Sequence, residues 1–186
     1  MKSDAIYIAL GANLPSAGRT PRQTLAAALE VLSRDGVEIV SRSSDWSSPA
    51  WPDPSDPAYV NAVARVATDL SPRDLMDLLH AVEADFGRQR SARNAPRPLD
   101  LDLIDYEGRA ESVPGGLEIP HPRAVQRAFV LLPLAEIAPD WADPVSGRNI
   151  GELIAALPKP DRDATCKLQP ADPDASPSLA FARREG

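Results

Sequence analysis

Residues 93–105, RNAPRPLDLDLID, lead from an arginine-rich approach into a strand that sets two aspartates among leucines. Side chains alternate across a strand, so Leu99, Leu101 and Leu103 take one face and Asp100 and Asp102 the other. The leucine face needs helices over it, and the aspartate face is the one the helices leave open. Side chains two apart lie about 6.5 to 7 Å from each other. Two ionised carboxylates at that spacing repel, and one takes up a proton unless a cation intervenes. Hard oxygen ligands on a rigid strand suit Mg²⁺, which completes its shell with water and phosphate oxygens. Taken alone, such a pair is as compatible with solvated charges as with a metal site.

The flanking sequence supplies the rest of a sheet. Residues 5–10 are an apolar strand that stops at Gly11 and Asn13, both turn formers. Thr20, Pro21 and Gln23 form a capping-box start for a helix carrying Leu25, Ala28, Leu29 and Leu32, ended by Gly36. Residues 37–46 are a strand candidate and residues 47–57, with four prolines, are loop. Residues 59–67 alternate strictly, with Tyr59 and Asn61 on one face. Ser71 and Pro72 open a second helix whose stripe is Leu75, Leu78, Leu79, Val82 and Phe86, closed by Gly87. His80 and Glu83 lie on a different side of it. With the strand at 99–106 the order is βαββαβ, which predicts an α+β fold of ferredoxin-like type: an antiparallel sheet with both helices on one face. A short edge strand over 113–119 and helices over 129–137 and 149–157 follow. The expected division is one domain over 1–157 and a flexible C-terminal tail over 158–186, where Pro, Asp and Ala dominate without periodicity.

Arg88, Arg90, Arg93 and Arg97 crowd one loop beside the aspartates. Charge runs are usually solvated, but arginine forks also grip phosphate oxygens, and a magnesium polyphosphate would satisfy both sets of charges. No GxxxxGK[ST] loop exists to hold a nucleotide another way. Tyr59 and Asn61 are ordinary on an exposed strand face, yet an aromatic plane beside an amide also suits a flat heterocycle. Trp51 and Phe129 are further rings that suit a ligand or a core equally. His121, between prolines and followed by Arg123 and Arg127, is undecided by spacing alone.

Composition narrows the class. The chain has 186 residues, 43% apolar and 25% charged, enough for a core without staples. Its only cysteine, Cys166, excludes an intrachain disulfide and a cysteine zinc site, which suits a reducing cytoplasm. The apolar run near the N-terminus is too short for a signal sequence or a membrane span. A formal charge of −7 argues against a nucleic-acid partner.

Several blocks in order, ALGANL, YVNA, VEADFGRQR, RNAPRPLDLDLI and IPHPRAVQRAFVLLPLAEIAP, resemble the 6-hydroxymethyl-7,8-dihydropterin pyrophosphokinases of folate synthesis, from about residue 5 to about residue 157. The resemblance implies transfer of the β,γ-diphosphate of ATP to the pterin hydroxymethyl group with release of AMP. It implies Asp100 and Asp102 as ligands of two Mg²⁺ ions, and Asn61 as the reader of the pterin edge with backbone help around Ser48, Pro49 and Trp51. Tyr59 and Phe129 become the walls of the stack. Glu83, Arg88, Arg90, Arg97, His121 and Arg127 fall where the family contacts ATP or closes its loops, Arg88 and Arg97 with catalytic roles. Two positions depart from the family: Asn94-Ala95 stands where many members have Trp-Gly, and His80 where the family has a Gln near adenine. The expected partners are ATP and a reduced pterin, acting on a monomer. The rival readings are a metal-dependent phosphohydrolase and a ferredoxin-like RNA-binding module, the latter opposed by the acidic charge and the missing aromatic RNA motif.

Overall fold

In the computed structural model, residues 4–51, 53–88, 97–112 and 118–170 are described. Strand β1 (Ile6–Ala12) lies between β4 (Tyr59–Ala67) and β5 (Asp100–Tyr106), antiparallel to both. On the outer side of β4 run β2 (Glu38–Arg42) and β3 (Trp46–Ser48), and β3 in turn pairs with β8 (Cys166–Lys167). The six-stranded sheet therefore reads β5-β1-β4-β3-β8, with β2 also on β4. This is the expected ferredoxin-like core with extra edge strands.

Helix α1 (Pro21–Arg34) starts from the expected capping box on Thr20 and Gln23, and α2 (Pro72–Asp85) from Ser71. Their stripes, Leu25, Leu29 and Leu32 with Leu75, Leu79 and Val82, pack on Ile6, Ile8, Leu10, Ala62, Ala64, Leu101 and Leu103. Both helices cover one face, as alternation in β5 requires.

The opposite face is only partly open. Helices α3 (Ala128–Ile137) and α4 (Ile150–Ala156) cover its Tyr7, Ala9, Val63 and Ile104 with Val130, Leu131, Leu134, Ile150 and Leu153. Those strand residues are apolar on both faces of the central strands, which is the pattern of a sheet covered twice. A register shift between Tyr7 and Ile8 brings both Ile104 and Asp105 to this side, where Asp105 accepts a 2.7 Å hydrogen bond from Trp141 Nε1. The aspartates of the opening stretch thus face a gap beside α3 rather than an open sheet.

Other boundaries differ from the sequence expectation. Strand β1 does not stop at Gly11, because β5 pairs with it as far as Gly11 and β4 continues the ladder to Ala12. The strand expected at 37–46 breaks in two where Ser43 exchanges hydrogen bonds with Val63, and its second part extends to Ser48 inside the expected loop. Glu83 is buried in the α2–β5 contact instead of lying on a separate side. The expected edge strand at 113–119 is half of a small hairpin, β6 (Glu111–Ser112) with β7 (Glu118–Ile119); residues 113–117 lie outside the described residues. Past Pro158, where composition reads as tail, α5 (Lys159–Ala164) and β8 add to the sheet because β3 offers an unpaired edge. No helix among the described residues is long and apolar enough to cross a membrane.

Glu136 of α3 gathers the edge strands. It accepts from Ser44 N at 3.2 Å, Ser44 Oγ at 2.7 Å, Trp46 Nε1 at 3.1 Å and Lys167 Nζ at 2.9 Å. Burial pushes its carboxyl up, but the hydrogen bonds from Lys167, Ser44 and Trp46 outweigh that and hold it at about 2. A depressed folded value stabilises above the unfolded one and is lost as pH falls through the folded one. Glu136→Gln should cost about 1–2 kcal/mol at pH 7 in urea unfolding. The difference from the unaltered chain should shrink between pH 4.5 and 2. A gap constant across that range would show that the charge contributes nothing.

Candidate active site

A cleft of about 720 Å³ opens between the second sheet face, the 47–57 loop, the 121–129 segment and α5. Its floor is built by register. Gly11 pairs with Asn61 on one side and Asp100 on the other, and Ala9 pairs with Val63 and Asp102. A Cβ on Gly11 would stand 3.3 Å from Asn61 Oδ1 and 3.9 Å from Asp100 Cβ, so only glycine leaves the floor clear between the amide and the carboxylate. Sequence reasoning read Gly11 as a turn and missed this role; its place between two alternating strands was the available signal.

Asp100 and Asp102 both line the cleft. Asp100 Oδ1 accepts from Arg97 Nη1 at 3.0 Å and pairs with Arg88 Nη1 at 2.8 Å. Asp102 Oδ2 accepts from Arg127 Nη1 at 3.3 Å and lies 4.0 Å from His121 Nε2. Burial, then the charge of Asp100, raises the Asp102 carboxyl, against the pull of His121, Arg127 and Arg88. Burial lowers His121 below its ordinary value, favouring the neutral ring. Its Nδ1 accepts the Arg123 N–H at 3.2 Å, so the neutral ring carries its proton on Nε2, facing the cleft. Two carboxylates side by side, with Asp100 raising the proton affinity of Asp102, form a donor set suited to a hard divalent cation. Among the described residues no group of three or more His, Cys, Asp or Glu is placed to hold a metal. Any ion here would take its remaining ligands from water or substrate.

The other end of the cleft is lined by an amide and by rings. Asn61 is buried, and its Nδ2 donates to Ser48 Oγ at 3.0 Å, leaving Oδ1 over Gly11. Tyr59, Phe129, Pro49 and Trp51 line the same space; Trp51 is 71% exposed, which settles it as a rim residue and not core. The Arg127 guanidinium lies 5.4 Å from the Phe129 ring centroid. Asn13, another residue the sequence reading left as a turn former, is buried; its Nδ2 donates to Pro57 O at 3.1 Å and its Oδ1 accepts from Arg97 N at 2.9 Å.

Glu83 sits under this site and does not line the cleft. Its Oε1 accepts from Leu101 N at 2.6 Å and contacts Arg88 Nη1, so it orients the arginine that reaches Asp100. A smaller hollow of about 240 Å³ joins it to His80, which is exposed. Arg90, Arg93, Asn94 and Ala95 lie outside the described residues.

Comparison with known proteins places this geometry among relatives. Residues 7–139 match the family model described as 7,8-dihydro-6-hydroxymethylpterin-pyrophosphokinase (HPPK). A 2-amino-4-hydroxy-6-hydroxymethyldihydropteridine pyrophosphokinase of Pseudomonas aeruginosa is 40% identical over 82% of this chain and 91% of its own. One from Synechocystis is 47% identical over 64% of this chain and 60% of its own. Among solved structures, wild-type Plasmodium falciparum HPPK-DHPS shares the fold with a TM-score of 0.62 at 12% identity. The alignment covers 83% of this chain but 44% of that longer one.

Burial raises the Glu83 carboxyl from 4.5 to about 7, against the Leu101 amide and Arg88. A raised folded value means stability present in full below pH 4.5 and fading as pH climbs to about 7. Glu83→Gln keeps the acceptor for Leu101 N and removes the titration. Relative to it, the unaltered chain should lose up to about 3 kcal/mol of unfolding free energy across that window, read by urea titration at each pH. Parallel profiles would show that Arg88 keeps Glu83 charged throughout.

Proposed function

The chain belongs to the 7,8-dihydro-6-hydroxymethylpterin-pyrophosphokinase family, and from that membership we infer that it is an ATP-dependent diphosphotransferase of folate synthesis. It transfers the β,γ-diphosphate of ATP to the hydroxymethyl group of 6-hydroxymethyl-7,8-dihydropterin and releases AMP. The observation that carries this reading for its own residues is the row Asn61, Gly11, Asp100 across three neighbouring strands. Strands stand about 4.8 Å apart, so the amide and the carboxylate are about 10 Å apart across the sheet. A bicyclic pterin with a one-carbon arm spans that row, its pyrimidine edge at Asn61 and its hydroxyl at Asp100.

In this reading Asn61, held by Ser48, gives an oriented amide to the ring edge, and Tyr59 and Phe129 take its two faces. Asp100 and Asp102 are the groups to hold Mg²⁺, two ions in our proposal, which would supply Lewis-acid polarisation of the phosphoryl oxygens and the pterin hydroxyl. When the carboxylates take up that role, Arg88 and Arg97 beside Asp100 and Arg127 beside Asp102 turn their donors to the triphosphate. His121 adds an uncharged Nε2–H donor at the same place. The hydroxyl oxygen gives up its proton to water and forms its bond to the β-phosphorus in line as the bond from that phosphorus to the AMP oxygen breaks. Arginines that stabilise spreading phosphoryl charge in a site short of water act more strongly than in solvent. Arg90 belongs to the same proposed ATP-binding set. We propose a cytoplasmic monomer as the working form.

Asp100→Ala or Asp102→Ala should lower kcat more than about 100-fold, since each removes a direct ligand. The unfolding midpoint should not fall, because neither side chain fills core volume. Nucleotide chromatography supplies the test of the reaction itself: AMP must appear only when the reduced pterin is present. Formation of ADP, or of AMP and diphosphate without pterin, would reject the transferase reading.

A further inference from the structure

The cleft has an end wall that the matched family region does not contain. The match ends at residue 139, yet Asp161, Ala164 and Thr165 line the same cavity as Ser48, Pro49 and Ala50. They are carried by α5 and the turn into β8, which pairs with the outer edge of β3 through Trp46 with Lys167 and Ser47 with Cys166. In the order β5-β1-β4-β3-β8 this is the opposite side of the sheet from the strand bearing Asp100 and Asp102. The wall therefore stands beyond Asn61 and Ser48, at the end remote from the reacting hydroxyl.

It is built firmly enough to act as a wall. Lys167 Nζ reaches Glu136 Oε1 at 2.9 Å, Leu168 N donates to Asp45 O at 2.8 Å, and Arg22 Nη2 donates to Gln169 O at 2.6 Å. Inside the turn, Thr165 is buried and its Oγ1 donates to Asp161 O at 2.9 Å, which fixes the end of α5. Ala164 is exposed and is a small side chain lining the cleft, so its size sets free depth without supporting the core.

We propose that residues 161–165 close the pyrimidine end of the pterin pocket and that Ala164 is a specificity-determining position for how deeply the ring seats. The proposal rests on the pyrophosphokinase reading for the identity of the ring. By covering the outer edge of β3, the same segment steadies Ser48 and, through it, the Asn61 amide.

Ala164→Trp and Ala164→Leu in the full chain test it by calorimetric titration with the pterin and, separately, with a non-hydrolysable ATP analogue. The pterin Kd should rise at least about tenfold in the Trp variant and less in the Leu variant, with ATP-analogue affinity within about twofold of the unaltered chain. KM for the pterin should rise in step, while the unfolding midpoint holds. Unchanged pterin affinity in both folded variants overturns the proposal. So does an equal loss of nucleotide affinity, or a fall in kcat with KM constant, since each would put the segment elsewhere along the cleft. Failure of the underlying reading looks different: the unaltered chain would make no AMP with pterin present.

Discussion

Everything in the cleft depends on the double antiparallel pairing of β1. Because β4 and β5 both register on it at Gly11, an amide and a carboxylate from distant parts of the chain arrive in one row with nothing between them. A slip of one residue in either pairing would turn Asn61 or the aspartates toward α1 and α2, into the aliphatic layer. The core prevents that slip. Ile6, Ile8 and Leu10 on one face and Tyr7 and Ala9 on the other must each find their own layer, so two cores hold one register. Packing away from the cleft thus fixes the spacing of the groups on its floor.

The charges in the cleft obey a balance. Asp100 and Asp102 are matched in this structure by Arg88, Arg97 and Arg127, so the partly buried carboxylates are not left bare. A dication arriving alone would have to displace those arginines from the aspartates. A polyphosphate arriving alone would face the carboxylates. A metal and a polyanion entering together exchange partners pairwise, and neither set of protein charges loses its counter-charge. In a chain with a net charge of −7, the cations of the cleft are local and are oriented by the acids beside them.

Those acids and their alternation with leucine were legible in the sequence, since period two in 99–103 has one structural meaning, and the capping box at Thr20 fixed the start of α1 as plainly. Tyr59 and Asn61 were legible for the same reason. What escaped was whatever depends on a third element. Gly11 looks like a turn until strands are known to lie on both sides of it. The burial of Glu83 follows from the docking of α2 onto β5, and helical spacing alone put it on another face. The second layer formed by α3 and α4 escaped because Asp100 and Asp102 marked that face as open, while the apolar residues it covers, Tyr7, Ala9, Val63 and Ile104, lie mostly on other strands. The C-terminal wall escaped for a different reason. Its residues have no periodicity of their own and take their order from the edge of β3 and the side chain of Glu136.

Rigid and adaptable parts are divided by chemistry. Asn61, Asp100 and Asp102 stand on central strands, whose pairing fixes them, whereas Arg97, His121 and Arg127 stand in the segments between elements. Asn13 joins the two classes. Its one buried amide holds the carbonyl of Pro57, at the end of the proline-rich segment, and the amide nitrogen of Arg97, at the end of the arginine-rich one. Pro57 and Arg97, far apart in the chain, thus hang from a single side chain just past the end of β1, and through Arg97 that anchor reaches Asp100.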